Sequence, residues 1–586
     1  MKRVFIGHRG TGKTALLQRH SQIFNQIFPQ IPHLDLDLEI ENYVGEPLSD
    51  YFTRVGEVKF RQVEQEVFLR ITAQPNFVIS LGAGFDVSII PNDIEVVLVR
   101  RLSDSDGRIF LDRPRLNTDV SLLEEYYQRY HQRENRYIEA ADWVYHMPEG
   151  IEDAGPAAHA IEGSILRRDF NVENAYYTLT AQELPFIEQL LRNFSKIELR
   201  TDLLEAEQIE SLLERYPWHE WLVSVRSGME LNWQRIHMLD TDIHYYREGS
   251  QIISCHEDHI NYAIQQLEPF VGKGHLKLSS LVDSFDGLIT GYRWQQEDPE
   301  NRSFLPRSSI GRWPWFRQLS SYWQSLNFIK SRTEMSDQPS WFEWLSLPPE
   351  APQKWAAVLG RPVHASRSPT QHHEFFHKRE TFFTRVSLNE DELLQHHSFL
   401  SELKLGYAAV TSPLKEIALQ ISKNPSPVSQ KLQAANTLML KNDGWWAHNT
   451  DLEGFKSLTR QLSNHANVAI WGGGGTLQMM KEVLPQAISY SSQTGKVRDP
   501  NHYKNEQEPQ HLGEATQFDV LIWAAPRLEK TLFPSEKLQF KEVLDLNYVD
   551  HSMGLEFAVN QKIRYTSGLE MFRVQALHQQ KFWEQV

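Results

Sequence analysis

Two glycine-rich stretches and a scatter of lysines, histidines and carboxylates at the ends of apolar runs carry the chemistry this chain could perform. The first stretch, GHRGTGKT at residues 7 to 14, follows the apolar run VFI and precedes the helical TALLQRHSQIF. It fits the pattern G-x-x-x-x-G-K-[ST] in the strand-to-helix context that pattern requires. Gly7, Gly10 and Gly12 let backbone N–H groups approach phosphate oxygens, Lys13 would reach the β- and γ-phosphates, and Thr14 would ligate Mg2+. A nucleoside triphosphate with Mg2+ is the expected ligand. The second stretch, WGGGGT at 471 to 476, lies between the strand-like NVAI and the helical LQMMKEVL, as a dinucleotide-binding turn should. Gly472, Gly474 and Gly475 are its expected cofactor contacts. Between the two, IELRTDLL, EWLVSVRS, QIISCHED and GHLKLSS read as short strands ending in polar residues. Charged residues at strand ends are what the mouth of a (β/α) barrel would present.

These motifs need several scaffolds. The chain has 586 residues, 40% hydrophobic and 23% charged, enough for three to five folded domains. Apolar runs alternate with amphipathic stretches, the pattern of α/β domains with parallel sheets. Boundaries are expected in MPEGIEDAGPAAHAIEGSILRRDF, from residue 147, and in LSLPPEAPQKW, where Pro348, Pro349 and Pro352 stop any helix or central strand. The expected domains are 1–165, 171–345 and 353–586. A net charge of -16 without a Lys/Arg-rich block argues against nucleic-acid partners. The lone Cys255 excludes internal disulfides and cysteine zinc clusters and fits a reducing compartment, the cytoplasm. The absence of a signal-like or membrane-spanning apolar stretch leads to the same expectation. Small-molecule substrates are the expected partners, with homo-oligomerisation left open.

The first domain resembles shikimate kinase over nearly its whole length, through the P-loop followed by DLDLEIE, VGEVKFRQVEQEVF, SLGAGF, LDRPRL and RENRY. The resemblance implies a P-loop α/β/α sandwich. It places Asp35 near Mg2+ and Asp37 on the acceptor hydroxyl, Arg61 and Arg133 on the substrate carboxylate, Arg113 on a lid, and Gly82 and Gly84 along the acceptor pocket. The family's glycine triplet stands here as Gly82-Ala83-Gly84, which adds a methyl.

The third domain resembles shikimate dehydrogenase from about residue 355, through ASRSP, AAVTSPLKE, ANTL, HNTDLEGF and SGLEMFRVQA. The resemblance implies a two-lobed α/β domain: a substrate lobe at about 353–455, a Rossmann lobe at about 456–560, and C-terminal helices. Ser366, Ser368, Thr411, Asn436, Tyr548 and Gln575 would bind substrate, and Lys415 and Asp451 would form the catalytic pair. Where the family carries Asn-Arg-Thr for the 2'-phosphate of NADP, this sequence reads Ser492-Gln493-Thr494, with Lys496 and Arg498 close by to compensate. NADP(H) is favoured over NAD on charge complementarity.

The middle domain resembles type I 3-dehydroquinate dehydratase on a shortened barrel. The resemblance implies Lys277 as a Schiff-base former and His256 as the proton carrier, oriented by Glu198. Arg200, Arg226 and Glu230 would join the substrate site, with Arg312 and Gln338 from the closing loop.

Kinase, dehydratase and dehydrogenase stand in the order of the C-terminal part of the pentafunctional arom polypeptide. The resemblance therefore implies a trifunctional enzyme of the shikimate pathway. Two alternatives remain: a bifunctional kinase and dehydrogenase around a degenerate barrel, and a non-catalytic regulator, since a quinate-responsive repressor family resembles the same array. Competent residue types at the kinase and dehydrogenase positions, and the absence of a DNA-binding module ahead of the P-loop, argue against the regulator.

Overall fold

The strand Lys2–Ile6 (β1) is buried at four of its five positions, the signature of a strand covered on both faces. It lies at the centre of a parallel five-stranded sheet with His33–Asp35 (β2), Phe77–Ser80 (β3), Glu95–Arg101 (β4) and Trp143–Met147 (β5), in the order β2-β3-β1-β4-β5. Helices Lys13–Ile27, Leu36–Val44, Leu48–Thr72 and Leu122–Ala140 connect these strands. The computed structural model describes residues 2–27, 31–101, 119–120, 122–147, 174–232, 236, 238–330, 337–339, 343–344, 347–363, 366, 368–460, 462–463, 466–498, 506–507, 516–525, 530–547 and 552–585. They form two compact units, residues 1–351 with 365–382, and residues 352–364 with 383–586.

In the first unit the P-loop sheet is followed by eight short parallel strands: Tyr176–Thr178 (β6), Lys196–Arg200 (β7), Glu220–Val225 (β8), Met238–Asp242 (β9), Ile252–Cys255 (β10), His275–Leu278 (β11), Arg302–Phe304 (β12) and Phe328–Ile329 (β13). Each pairs with its sequence neighbour from β6 through β12, and β13 pairs back onto β6. This is the strand order of an eight-stranded parallel barrel, with no β12–β13 pairing among the described residues. The shortening expected from the sequence falls on the connections. Helices Ile187–Asn193, Ala206–Arg215, Ile260–Leu267, Phe285–Gln296 and Pro314–Ser320 fill five of them, whereas among the described residues β8 to β9 and β9 to β10 have no α-helix. A buried apolar cluster including Phe5, Leu16, Val99, Tyr177, Leu190 and Ile197 runs from the P-loop sheet into the barrel layer.

In the second unit, Trp355–Gly360 (β14), Phe383–Ser387 (β15), Leu405–Val410 (β16), Asn424–Pro425 (β17), Thr437–Lys441 (β18) and Gly444–His448 (β19) form a mixed sheet in the order β15-β14-β16-β18-β19-β17. A second sheet has Val468–Gly472 (β20), Ile488–Tyr490 (β21), Val497–Arg498 (β22), Glu506–Gln507 (β23), Thr516–Ala524 (β24), Leu538–Asp545 (β25) and Arg564–Thr566 (β26) in the order β23-β22-β21-β20-β24-β25-β26. Its five strands from β21 to β26 are parallel, and the crossover at β20 is the switch point where a Rossmann-like sheet binds dinucleotide. Among the described residues no helix is long and apolar enough to cross a membrane, and no cluster of side chains is arranged to hold a metal on its own.

Candidate active sites

In the phosphate loop Gly7, Gly10 and Gly12 adopt φ of 147°, 83° and 90°, a region open to glycine and strained for other residues. A Cβ on Gly7 would come within 2.3 Å of the Val99 carbonyl, so β4 and the loop touch backbone to backbone. Lys13 is buried, and its Nζ donates to the carbonyls of Gly7 at 3.0 Å and His8 at 2.9 Å. Thr14 Oγ1 donates to Asp35 Oδ2 at 2.9 Å. The other Asp35 oxygen accepts the Asp37 N–H at 3.0 Å and caps helix Leu36–Val44. Asp35 thus faces the loop threonine, and Asp37 follows it as the second residue of helix Leu36–Val44. Burial, then the charge of Asp35, pushes the Asp37 carboxyl above its ordinary range and makes it a stronger base than a surface aspartate.

A cavity of about 280 Å3 lies beside this carboxylate, lined by Arg61, Glu64, Gly84, Asp86, Arg133 and Tyr137 among others. Gly82 closes on Asp37, since a Cβ there would stand 3.0 Å from Asp37 Oδ1, and a Cβ on Gly84 would meet Arg61 Nη2 at 2.3 Å. Arg61 is held by Glu64 at 2.6 Å, and burial lowers the pKa of Arg133. Ala83, the departure in the triplet, is fixed through its carbonyl, which accepts from the Tyr137 hydroxyl. Arg61, Arg133 and Gly84 therefore meet around one cavity, with Gly82 at its neighbour Asp37. Arg113 lies outside the described residues.

At the barrel mouth Lys277 of β11 is 3% exposed, and its Nζ donates to Asp240 Oδ2 of β9 at 2.6 Å. Arg226, at the end of β8, donates to the same oxygen. Two cations thus share one fully buried carboxylate. Burial pushes the lysine down to about 8, with Arg226 adding to the shift and Asp240 opposing it. The Asp240 carboxyl is held far below the usual range by its two cations, against the penalty of its own burial.

His256 follows β10, and here the structure corrects one expectation. Its Nδ1 bonds Asp242 Oδ2 of β9 at 2.7 Å, so Asp242 orients the ring, not Glu198. Glu198 instead accepts from Thr178 and Ser224, each at 2.6 Å, and Gln338 Nε2 donates to the same Thr178 hydroxyl at 2.7 Å. Glu198 and Gln338 are therefore joined through Thr178 across the β6–β7 seam. Burial, reinforced by Arg226, lowers the His256 pKa and leaves a neutral imidazole. Arg200 is paired with Asp202 at 2.6 Å, and Glu230 is exposed. Arg312 donates to the Asp283 carbonyl and stacks on Trp313 at 4.8 Å.

Arg317, on helix Pro314–Ser320 after β12, was not anticipated from the sequence. It is 8% exposed, its Nε is buried without a hydrogen-bond partner among the described residues, and its charge acts on Asp337, Arg307, Glu198 and Arg200. Burial pushes it down to about 10. A buried guanidinium among two carboxylates and two other arginines is a signal the sequence alone does not carry.

In the second unit Lys415 Nζ donates to Asp451 Oδ2 at 2.6 Å, the pair expected from the sequence. Asn436 Nδ2 spans Asp451 Oδ1 at 2.9 Å, Thr450 Oγ1 at 3.0 Å and Gln575 Oε1 at 3.2 Å. Lys415 and Asp451, each the first residue of a helix, thus form one connected polar cluster with Asn436, just before β18, and Gln575 of helix Leu569–Trp583. Thr411 packs against the end of β14, where a Cβ on Gly360 would meet its Cγ2 at 2.3 Å. Ser366 and Ser368 lie on the segment grouped with the first unit, where Ser366 Oγ accepts the Ser368 N–H at 3.3 Å.

The turn after β20 places Gly472, Gly473 and Gly474 at φ of 87°, 108° and 41°, with Gly475 next in the same 3-10 turn. From β21 the chain turns back through Ser492 and Thr494 into β22, a hairpin that carries Lys496 and Arg498, and the Thr494 hydroxyl accepts the Lys496 N–H at 3.3 Å. Arg498 Nε is buried without a hydrogen-bond partner among the described residues. Tyr548 lies outside the described residues.

Comparison with known proteins matches the shikimate kinase family model to residues 9–154 and the shikimate dehydrogenase substrate binding domain model to residues 358–438. A shikimate dehydrogenase (NADP(+)) from Acinetobacter baumannii is 28% identical over 260 residues, 40% of this chain and 96% of that protein. A shikimate kinase from Flavobacterium johnsoniae is 38% identical over 84 residues, 14% of this chain and 46% of that protein, so the match spans about half of that kinase. Among solved structures, a shikimate 5-dehydrogenase from Thermus thermophilus in complex with NADP(H) and shikimate superposes with a TM-score of 0.34 at 21% identity, covering 40% of this chain and 94% of that one.

Proposed function

We propose that this chain, which carries a shikimate kinase domain at its N-terminus and a shikimate dehydrogenase domain toward its C-terminus, is a trifunctional enzyme of the shikimate pathway. It dehydrates 3-dehydroquinate, reduces 3-dehydroshikimate to shikimate, and phosphorylates shikimate on its 3-hydroxyl. The expected domains 1–165, 171–345 and 353–586 are assigned to kinase, dehydratase and dehydrogenase. A cytoplasmic location belongs to this reading and is supported by the single, unpaired Cys255.

The observation that carries the dehydratase part is the buried Lys277, with an amine near pKa 8, one strand from a neutral His256. The neutral amine adds to the substrate ketone, water leaves, and the resulting iminium draws electrons from the adjacent carbon. His256 is held at Nδ1 by Asp242, so Nε2 is the position that takes the proton. The β-hydroxyl then departs with a proton as water, and hydrolysis frees Lys277 and the product. Arg317 adds to the expected substrate residues Arg200, Arg226, Glu230, Arg312 and Gln338 as a cation for the substrate carboxylate.

In the dehydrogenase, the ammonium of Lys415 donates a proton to the carbonyl oxygen as it is reduced, and Asp451 holds that amine in place. Thr411, Asn436 and Gln575, with Ser366, Ser368 and Tyr548, are assigned to substrate hydroxyls and carboxylate. NADP(H) fits the residues present: a glycine turn at the sheet's switch point, and an Arg498 whose buried Nε is left for an anion beside Thr494 and Lys496. When bound it supplies the reducing equivalents.

In the kinase, Arg61 and Arg133 hold the acceptor carboxylate and Asp37 accepts the hydroxyl proton as the phosphoryl group is transferred. ATP fits the positive-φ glycine loop with Lys13, and the hard oxygen donors Thr14 and Asp35 fit Mg2+, which would neutralise phosphate charge. Asp37→Asn is expected to lower kcat of the kinase by about 10²- to 10⁴-fold. The melting temperature should not fall, because a carboxyl whose pKa is raised by burial costs the fold stability while ionised. Phosphorylation rates and thermal melts of the full chain check this; an unimpaired kcat removes Asp37 from the reaction.

Given 3-dehydroquinate alone, the full chain should form 3-dehydroshikimate. Failure to do so overturns the dehydratase part and leaves the other two activities standing.

A further inference from the structure

The phosphate loop carries a histidine, His8, that plays no part in the chemistry above, yet its side chain is buried and hydrogen-bonded. The ring is 3% exposed, and its Nε2 bonds Glu134 Oε2 at 2.8 Å. It stacks on Tyr130 at 4.4 Å and meets Tyr137 edge-on at 5.0 Å. Arg100 of β4 closes the network, pairing with Glu134 Oε1 at 2.7 Å and donating to the Tyr130 hydroxyl at 2.7 Å. Burial lowers the His8 pKa, so near neutral pH the ring is uncharged and Nε2–H donates to the Glu134 carboxylate. The Glu134 carboxyl is held below its usual range by His8 and Arg100, against its burial.

Three of these contacts come from one helix, Leu122–Ala140. That helix also carries Arg133, adjacent to Glu134, and Tyr137, which line the acceptor cavity. The Tyr137 hydroxyl grips the Ala83 carbonyl in the acceptor loop. The same helix therefore holds the donor loop at one turn and the acceptor pocket at the next. On the loop side, the His8 carbonyl accepts from Lys13 Nζ at 2.9 Å and from the Thr11 hydroxyl at 3.0 Å. Displacement of His8 therefore moves a carbonyl that orients the Lys13 amine in the phosphate loop.

We infer that Glu134, acting through His8, is a positioning residue that couples the acceptor pocket to the phosphate loop: substrate carboxylate on Arg133 shifts the helix, and the His8–Glu134 bond passes that shift to the carbonyl restraining Lys13. This rests on the kinase reading, and concerns two residues that touch neither reactant. Coupling of this kind is a ratio of affinities, and it must be reciprocal.

The test measures the dissociation constant of shikimate with and without a non-hydrolysable ATP analogue and Mg2+, by calorimetry on the full chain. The wild type should bind shikimate about 5-fold or more tightly in the presence of the analogue, the lower range of allosteric coupling. Glu134→Gln and His8→Phe, the second keeping the ring stack while removing the bond, should bring the ratio close to 1 while each ligand alone still binds. A purely structural role would lower thermal stability and both affinities together with the ratio preserved, and that result overturns the inference. A wild-type chain that binds the nucleotide analogue but no shikimate overturns the acceptor assignment itself, a failure distinct from an unchanged ratio in the variants.

Discussion

Lys277→Ala is expected to abolish conversion of 3-dehydroquinate while shikimate phosphorylation and 3-dehydroshikimate reduction continue at the wild-type rate. The loss should be at least about 10⁴-fold, because without the amine no iminium forms and the proton beside the ketone loses its electron sink. The fold should survive. Removing one partner of a buried ion pair is costly when it strands the other charge, about 3–5 kcal/mol, but Asp240 remains paired with Arg226. Lys277→Met, which keeps an unbranched side chain where the Lys277 amine lies over the Phe328 ring, is the control for packing. Reduction with borohydride in the presence of 3-dehydroquinate should attach substrate to Lys277 in the wild type and in neither variant.

The pH dependence has a definite sign. The attacking amine must be neutral, and burial places its midpoint near 8, so below that pH the trapping rate should rise about tenfold per unit and then level off above it. A lysine with an ordinary pKa would still be rising at pH 9. His256, with its pKa lowered by burial, stays neutral across this range and should add no second limb.

Lys415→Met is expected to lower kcat for 3-dehydroshikimate reduction by about 10²- to 10⁴-fold, the contribution of a placed proton donor, with a much smaller change in KM. The reason for the split is structural. Asp451 keeps its hydrogen bond from Asn436 when the lysine is gone, and Asn436 keeps Thr450 and Gln575, so the substrate-facing cluster retains its shape. Steady-state kinetics on the purified chain check this. A matched rise in KM with kcat intact would make Lys415 a binding group instead.

How much of this was legible in the sequence differs between sites. The phosphate loop and the Lys415–Asp451 pair were readable because short motifs fix their geometry: a loop between strand and helix, and two residues that each begin a helix after a strand. The barrel was harder. Its strands are two to six residues long, too short to show a period, and two connections lack helices among the described residues, so the length alone implied fewer strands than the eight that form. The partner of His256 was misread for a related reason. Glu198 and Asp242 both stand on barrel strands, and only the strand order, with β9 beside β10 and β7 two strands further away, decides which carboxylate the ring meets. Arg317 was invisible because a buried arginine in a short helix after Trp315 and Phe316 looks like any other helix charge until its surroundings are known.

Three consecutive reactions on one polypeptide are the central claim. Incubating the purified chain with 3-dehydroquinate, NADPH, ATP and Mg2+, and following all carbon by mass spectrometry, tests it in one step. The expected product is shikimate 3-phosphate, with one NADPH oxidised and one ADP formed per molecule. Unchanged 3-dehydroquinate would contradict the dehydratase assignment of the barrel, and with it the trifunctional account.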